Sequence, residues 1–552
     1  MDTPICDFVK EYADSGFSRF HMPGHKGREF LGCERYDITE IDGADVLSHA
    51  DGIIKKSQEN AAKLFGSGAS FYSTEGSSQC IKTMLAVVQA DYQRKILHKK
   101  TDMMKKLCEA SNTGMRHFCE KGITEKSGTM TERTYILAAR NVHRSLIDAL
   151  ALLDLDVEFI YPKDTDSICV SMVTPEDIRN YLENISDNTE IITCEAKNIS
   201  DNIEIITSEA QDISGNHEKN HIDKSYVDVK KKVLCHKESE NNNKNTLPMA
   251  VYITSPDYLG NTADIKGISE VCEEYDIPLI VDNAHGAYQA FLDEKKYGDI
   301  HPIKSGASIC CDSAHKTLPV LTGGAYIHVS EEYRERLAPY VASYMTMFGS
   351  TSPSYLIMQS LDMCNRYLAE KFRQELNDCT MRIEKTKKVL AANNVRLMET
   401  EPLKIVIDTA AAGMVGEELA DELRKYRIEC EYADKYFVVL MITPQNDEKD
   451  FERLEKWAAD TKNKRDTKKK IEPEKLILHK AERVMSIREA AFSPYRKIKV
   501  SDACGSICAS QTIACPPAIP IAVCGERIDQ NMINIFEKYR IDYINVVNYP
   551  YI

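Results

Sequence analysis

The 552-residue chain lacks an excess of positive charge: 70 Lys and Arg stand against 85 Asp and Glu, a formal net charge of −15. That excludes the electrostatic footprint of a general nucleic-acid binder and suits a cationic small molecule as partner. It also lacks any apolar run approaching the ~20 residues a membrane helix needs. The opening "MDTPICDFVKEYADSG" has acids where a secretory leader has a basic patch and an apolar stretch. A cytoplasmic location, with no membrane attachment, is the expectation. Cysteine is plentiful at 18 residues, yet no Cys-x-x-Cys pair occurs. Without a leader, this usage implies free thiols in a reducing compartment. The cluster Cys504, Cys508, Cys515 and Cys524 is too irregularly spaced for a structural zinc site, so no metal is expected.

What is present is enough apolar residue for a large core: 43% hydrophobic, with a mean hydropathy of −0.38. The length implies two or three domains. Three polar segments interrupt the pattern. Residues 92–130 are polar and Lys-rich, and 459–475 read as a solvated helix end or linker. Residues 184–247 hold a tandem duplication, "NISDNTEIITCEAK" (184–197) followed by "NISDNIEIITSEAQ" (198–211). Two copies are too few for a solenoid. This stretch reads as a surface excursion, with His217, His221, Cys235 and His236 as solvated loop residues rather than metal ligands.

Elsewhere strands and helices alternate. "MAVYITSP" and "IPLIVDNAHGAY" are β-type runs. Between them "TADIKGISEVCEEYD" puts Ile265, Ile268 and Val271/Cys272 on one helical face, giving a βαβ unit and a parallel sheet covered by helices. "RTYILAARNVHRSLIDAL" is a strand running into a helix. "DGIIKKSQENAAKLFG" carries a stripe of Ile53, Ser57, Ala61 and Leu64 that stops at Gly66.

Ligands of such sheets sit beyond the carboxyl ends of the strands. The strand ends carry "STEGSSQC" (73–80), "ARNVHRS" (139–145), "VDNAHG" (281–286) and "CDSAHK" (311–316). Each has a plain structural alternative. Gly76, Ser77 and Ser78 make a turn and cap, His143 a satisfied core histidine, Asp282 a buried cap. Together they supply a phosphate cradle, a flat ring for stacking, an acid for a protonated heteroaromatic nitrogen and a terminal lysine, Lys316. Those are the needs of pyridoxal 5'-phosphate (PLP).

The motifs "RFHMPGHKG" (19–27), "STEGSSQC", "RNVHRSL", "SPDYLGNTADI" (255–265), "IVDNAHGAY", "SAHKTLP", "STSPSYLIMQSLD" (350–362), "REAAFSP" (488–494) and "CPPAIPIAVCGERI" (515–528) run in order across nearly the whole chain. In them the chain resembles the Orn/Lys/Arg decarboxylases, PLP enzymes of fold type I. The resemblance implies an α/β fold like that of aspartate aminotransferase. A PLP-binding major domain with a mostly parallel sheet would span 1–345, a small α/β domain 346–465 and a carboxyl-terminal domain 466–552. It implies decarboxylation of arginine, lysine or ornithine to the polyamine-type amine, by a cytoplasmic homodimer whose subunits share the active site. Lys316 matches the Schiff-base lysine, His315 its neighbouring histidine, Asp282 the partner of the ring nitrogen and His143 the stacked histidine. Ser77, Ser78 and Ser313 match phosphate-contacting hydroxyls, and His285 lies beside the ring. Ser350 matches a phosphate contact given by a second subunit. Glu526 is the candidate acid for the substrate's basic side chain.

Two departures stand out. Glu75 replaces the usual Asn of the family's turn, which sets a carboxylate near the phosphate unless it turns away or is paired. "HMPGHKG" falls within the first thirty residues, so the amino-terminal wing of larger relatives is not expected. Two rival readings remain open: another fold type I activity such as transamination, and a non-catalytic regulatory relative.

Overall fold

The computed structural model describes residues 1–110, 134–162, 165–185, 246–465, 470–510 and 518–548. The tandem duplication from residue 186 onward, the histidines around it and Cys515 lie outside the described residues. The largest sheet comprises β1 (Ala69–Ser73), β2 (Tyr135–Ala139), β3 (Asp156–Ile160), β4 (Val251–Thr254), β5 (Leu279–Asp282), β6 (Ile309–Asp312) and β7 (Ala325–Val329), in the spatial order β1-β7-β6-β5-β4-β2-β3. β2 to β6 pair parallel, while β7 runs antiparallel between β6 and β1. Six strands therefore point one way, and the carboxyl ends of β1, β2, β5 and β6 share one edge.

The strands read as unbroken apolar runs because both faces are covered. In β5, Leu279 and Val281 pack on one side with Ile265, Ile268, Val271 and Cys272 of the helix Ile265–Glu274. Ile280 faces the other side, where Ile81, Met84, Leu85 and Val88 of the helix Gly76–Ala110 meet Leu146, Ile147 and Leu150 of the helix Arg144–Leu153. The expected βαβ unit is thus present. The helix Ile53–Phe65 ends at Gly66 in the left-handed region (φ 71°). Its buried stripe is Ile54, Ser57, Ala61 and Phe65, with Ile53 and Leu64 at the margin, one residue round from the face expected. Part of the Lys-rich 92–130 segment is not an excursion: the helix Gly76–Ala110 runs straight through residues 92–110.

Two smaller antiparallel sheets follow. β8 (Lys404–Asp408), β9 (Tyr432–Ala433) and β10 (Phe437–Met441) form the second, and β11 (Tyr495–Lys499), β12 (Cys508–Ser510) and β13 (Tyr543–Val547) the third. The buried Arg140 at the end of β2 binds the third region to the first. Its guanidinium donates to the carbonyls of Pro520 (2.7 Å) and Ile521 (2.9 Å), and the Arg144 N–H donates to Ala518 O (2.9 Å). No helix among the described residues is long and apolar enough to cross a membrane.

Two glycines hold the site-bearing loops together. Gly76 (φ 74°) opens the helix after β1, and its N–H donates to Gly323 O at 2.7 Å. Gly323 (φ 100°), in the loop between β6 and β7, lies so close that a Cβ there would be 2.8 Å from Thr74 O. Only glycine meets both demands. Gly323→Ala is expected to destabilise the fold by about 1–3 kcal/mol, read as a lower denaturation midpoint, whereas Gly66→Ala, in the left-handed α region (φ 71°, ψ 29°) with open space around it, costs less.

Candidate active site

The four strand ends named from the sequence converge on one edge of the large sheet and line a cleft of about 340 Å³. Ser77, Asn141, His143, Asp282, His285 and Lys316 come from the first sheet's loops, Tyr258 and Pro256 from the turn after β4, Glu431 from the second sheet and Ala518 and Ile519 from the third region. The volume falls within the range of small-molecule sites.

Lys316 sits on the single helical turn Ala314–Thr317 after β6. Its Nζ lies 3.1 Å from His285 Nε2. Burial pulls the Lys316 ammonium below the usual lysine range, while the negative charge of Asp282 works the other way. His285 is itself buried, and burial, followed by the charges of Lys316 and Lys404, pushes it well below an ordinary histidine. It is therefore a neutral imidazole whose Nε2 accepts from Lys316. Its Nδ1 is buried with no partner among the described residues.

Asp282 ends β5, 2% exposed. Its carboxylate accepts the Ala284 N–H (3.1 Å) and the Tyr252 hydroxyl (3.3 Å). His143 caps the helix Arg144–Leu153, with Nδ1 accepting the Ser145 N–H at 3.2 Å. Ser145 Oγ lies 2.9 Å from that Nδ1 and donates to Ser78 Oγ at 2.8 Å. Burial lowers the His143 pKa, so the ring is neutral with its proton on Nε2. His315 donates from Nδ1 to Gly324 O (3.0 Å), and burial lowers its pKa too, leaving an unprotonated Nε2. Its ring passes over Gly76, where a Cβ would meet His315 Cε1 at 4.0 Å.

Several polar atoms here are buried without partners among the described residues: Ser313 Oγ, Asn141 Oδ1 and Thr254 Oγ1, besides His285 Nδ1. Orphaned polar atoms in one place mark room for a polar ligand. Ser77 and Ser78 open the helix Gly76–Ala110, whose first N–H groups favour an anion. The donor set thus fits a phosphate at one end and a nitrogen heterocycle over Asp282 at the other.

Ser78, Ser313 and His315 do not themselves line the cleft, and two further expected residues lie elsewhere. Glu526 is buried, 3% exposed, and its carboxylate accepts the Val523 N–H at 2.8 Å. It lines a different pocket with Asp156, Glu158 and Arg483, not the Lys316 cleft. Ser350 is exposed and outside the cleft lining, and its N–H donates to the Glu75 carboxylate. That bond pairs Glu75, which is exposed rather than turned into the cradle. The sequence reading missed Asn141, Thr254, Tyr258 and Glu431. Asn141 and Tyr258 carried a signal, being inside the "RNVHRSL" and "SPDYLGNTADI" motifs.

Behind the lysine turn lies a fully buried network. Asp312 Oδ2 is 3.1 Å from His301 Nε2 and 3.3 Å from His328 Nε2, and Oδ1 accepts the Asn283 side-chain amide at 2.7 Å. Ser70 Oγ is 2.7 Å from His328 Nδ1, and Phe65 stacks on that ring at 4.3 Å. Cys310 completes a grouping with His301 and Asp312 at metal-ligand spacing, but the carboxylate is already occupied by the amide and the imidazoles. Burial alone would raise the Asp312 pKa; the two imidazoles hold it well below the carboxylate range. Asp312 thereby locks the residue before Ser313 to the residue after Asp282.

The model of the Orn/Lys/Arg decarboxylase major domain matches residues 3–101 and 206–411. An arginine decarboxylase of Bacillus anthracis is 25% identical over 97% of this chain and 93% of its own length. Among solved structures, the lysine decarboxylase LdcF of Francisella novicida superposes with a TM-score of 0.65 at 16% identity, over 99% of this chain and 81% of that one. Lysine decarboxylase A of Pseudomonas aeruginosa gives 0.66 at 14% identity, over 99% and 80%. The likeness to these structures establishes the fold, which is that of the fold type I enzymes.

Removing one partner from the buried network is costly, so Asp312→Ala is expected to lose about 3–5 kcal/mol in urea denaturation at pH 7. The pH sign follows from the lowered carboxyl. Asp312's contribution is complete above its unfolded pKa near 3.8 and is lost as pH falls toward the folded value. The stability gap between wild type and Asp312→Asn should therefore narrow as the pH falls below about 4.

Proposed function

The chain belongs to the Orn/Lys/Arg decarboxylase family of PLP-dependent amino acid decarboxylases, and on that premise we propose that it decarboxylates arginine, lysine or ornithine at the Lys316 cleft with PLP as its cofactor. The observation that carries this is a buried lysine amine 3.1 Å from a neutral imidazole, in one cleft with a buried carboxylate. The three sheets lie within 1–345, 346–465 and 466–552, which supports that division into domains. Bound in the cleft, PLP supplies an aldehyde for the substrate amine and a protonated ring that draws electrons from the bond being broken.

The chain's own residues do the rest. Burial favours the free-amine form of Lys316, which is the nucleophilic form. His285 Nε2 holds Nζ in place by accepting from it. Asp282, a carboxylate with little water, favours a proton on the ring nitrogen. His143 offers a flat, neutral face. Ser77, Ser78, Ser313 and the helix N-terminus take the phosphate. Lys316 Nζ, which carries its protons, and His315 Nε2, once it has taken up a proton from solvent or substrate, are the two sites from which a proton can be given to Cα once carbon dioxide has left.

The described residues lining the cleft include no arginine. An aminotransferase retains its substrate's carboxylate and usually does so with a guanidinium; a decarboxylase must let it go. This supports decarboxylation over transamination. Lys316, Asp282 and His143 lining one cleft likewise speak against a non-catalytic relative. Ser350, exposed outside the cleft, is available to a second copy of the chain, in keeping with a homodimer that shares its sites.

The PLP-loaded protein, given arginine, lysine and ornithine in turn, is expected to release carbon dioxide and form agmatine, cadaverine or putrescine from at least one of them. Lys316→Ala should lower the rate by at least about 10²–10⁴-fold and abolish the visible absorbance of the loaded protein. No carbon dioxide from any of the three overturns the proposal.

A further inference from the structure

A basic amino acid needs an acid to receive its distal cation, and Glu526 stands in another pocket. Two carboxylates line the Lys316 cleft among the described residues, Asp282 and Glu431. Asp282 is buried at the strand end and occupied by the Ala284 N–H and the Tyr252 hydroxyl. Glu431 is exposed at the opening. It comes from a different sheet, just before β9, where its N–H is fixed to Val439 O at 3.0 Å.

The carboxylate of Glu431 is not a loose surface charge. The Tyr258 hydroxyl donates to its Oε1 at 2.6 Å. The Tyr258 ring stands edge-on to His285, with centroids 5.0 Å apart, and edge-on to Tyr432 at 5.4 Å. The buried Lys404 Nζ donates to the Asp257 and Tyr258 carbonyls at 3.0 and 3.3 Å and so pins the turn that carries Tyr258. A run of contacts thus leads from Lys316 through His285 and Tyr258 to Glu431. The charge of Glu431 also acts on Lys316, counter to the effect of burial.

We infer that Glu431, oriented by Tyr258, is the acid that binds the ammonium or guanidinium at the far end of the substrate side chain. The inference rests on the proposed decarboxylation. With the α-amine directed to Lys316, a long cationic side chain lies along Tyr258 toward the second sheet. The aromatic ring packs against its methylenes and the carboxylate takes its charge. Tyr258 is a positioning residue. An acid drawn from the second sheet also makes selectivity depend on how the small and large sheets are set against each other.

The test is steady-state decarboxylation by the PLP-loaded protein with its best basic substrate and that substrate's neutral isostere, citrulline for arginine or norleucine for lysine. Glu431→Gln should lower kcat/KM for the basic substrate by about 10–100-fold, chiefly through KM, while the isostere's kcat/KM changes little. Tyr258→Phe should raise KM less, because the carboxylate remains. The visible absorbance of the loaded Glu431→Gln protein should match wild type. If wild type is active and Glu431→Gln keeps its preference for the cation within about twofold, the inference is overturned. If wild type releases carbon dioxide from none of the basic amino acids, the failure lies with the decarboxylase reading instead.

Discussion

The whole site depends on an amine that has lost its water. Lys316 is held just past the end of β6, where burial disfavours the ammonium and Nζ donates to a neutral imidazole. His285 stays neutral because it is buried beside two lysines. The carboxylate of Asp282 opposes the effect of burial without hydrogen-bonding to the amine, so the lysine is tuned toward reactivity rather than locked in a salt bridge. A group of this kind is expensive to keep, and the surrounding fold is arranged to hold it.

Strand direction supplies that arrangement. Because β1, β2, β5 and β6 all end on the same edge, the turn with Ser77, the helix cap His143, Asp282 and Lys316 meet without any long excursion of the chain. Three buried cations and anions then fix the loops. Arg140 draws the third region over the cleft through two carbonyls. Asp312 joins the Asp282 and Lys316 loops through Asn283. Lys404 anchors the turn after β4 to the second sheet.

Much of this was legible in the sequence, for local reasons. "IPLIVD" is too apolar to be anything but a covered strand, and the 3.6-residue spacing of Ile265, Ile268 and Cys272 gives the helix that covers it. Small and polar residues at the strand ends marked the cradle. The reversal of β7 was not read, since "AYIHV" has no direction of its own; it follows from a connection holding one helical turn, too little to carry the chain back for a parallel pairing. Glu431 was invisible because a charged residue beside a short strand reads as solvent-facing, and only the apposition of two sheets brings it to Lys316. Glu526 was placed in the wrong pocket for the converse reason: nothing in "CGERI" shows that the chain buries this carboxylate against its own Val523 N–H. The shift of the Ile53–Phe65 stripe by one position shows the limit of periodicity when Ser57 and Ala61 lie near the stripe's axis and its edges are apolar on both sides.

The most direct measurement is to reduce the PLP-loaded protein with borohydride, digest it and locate the pyridoxyl group by mass spectrometry. The account predicts one modified site, on the peptide containing "CDSAHKTLP", at Lys316. A label on Lys404 or another lysine, or no label on a protein that decarboxylates, would contradict it.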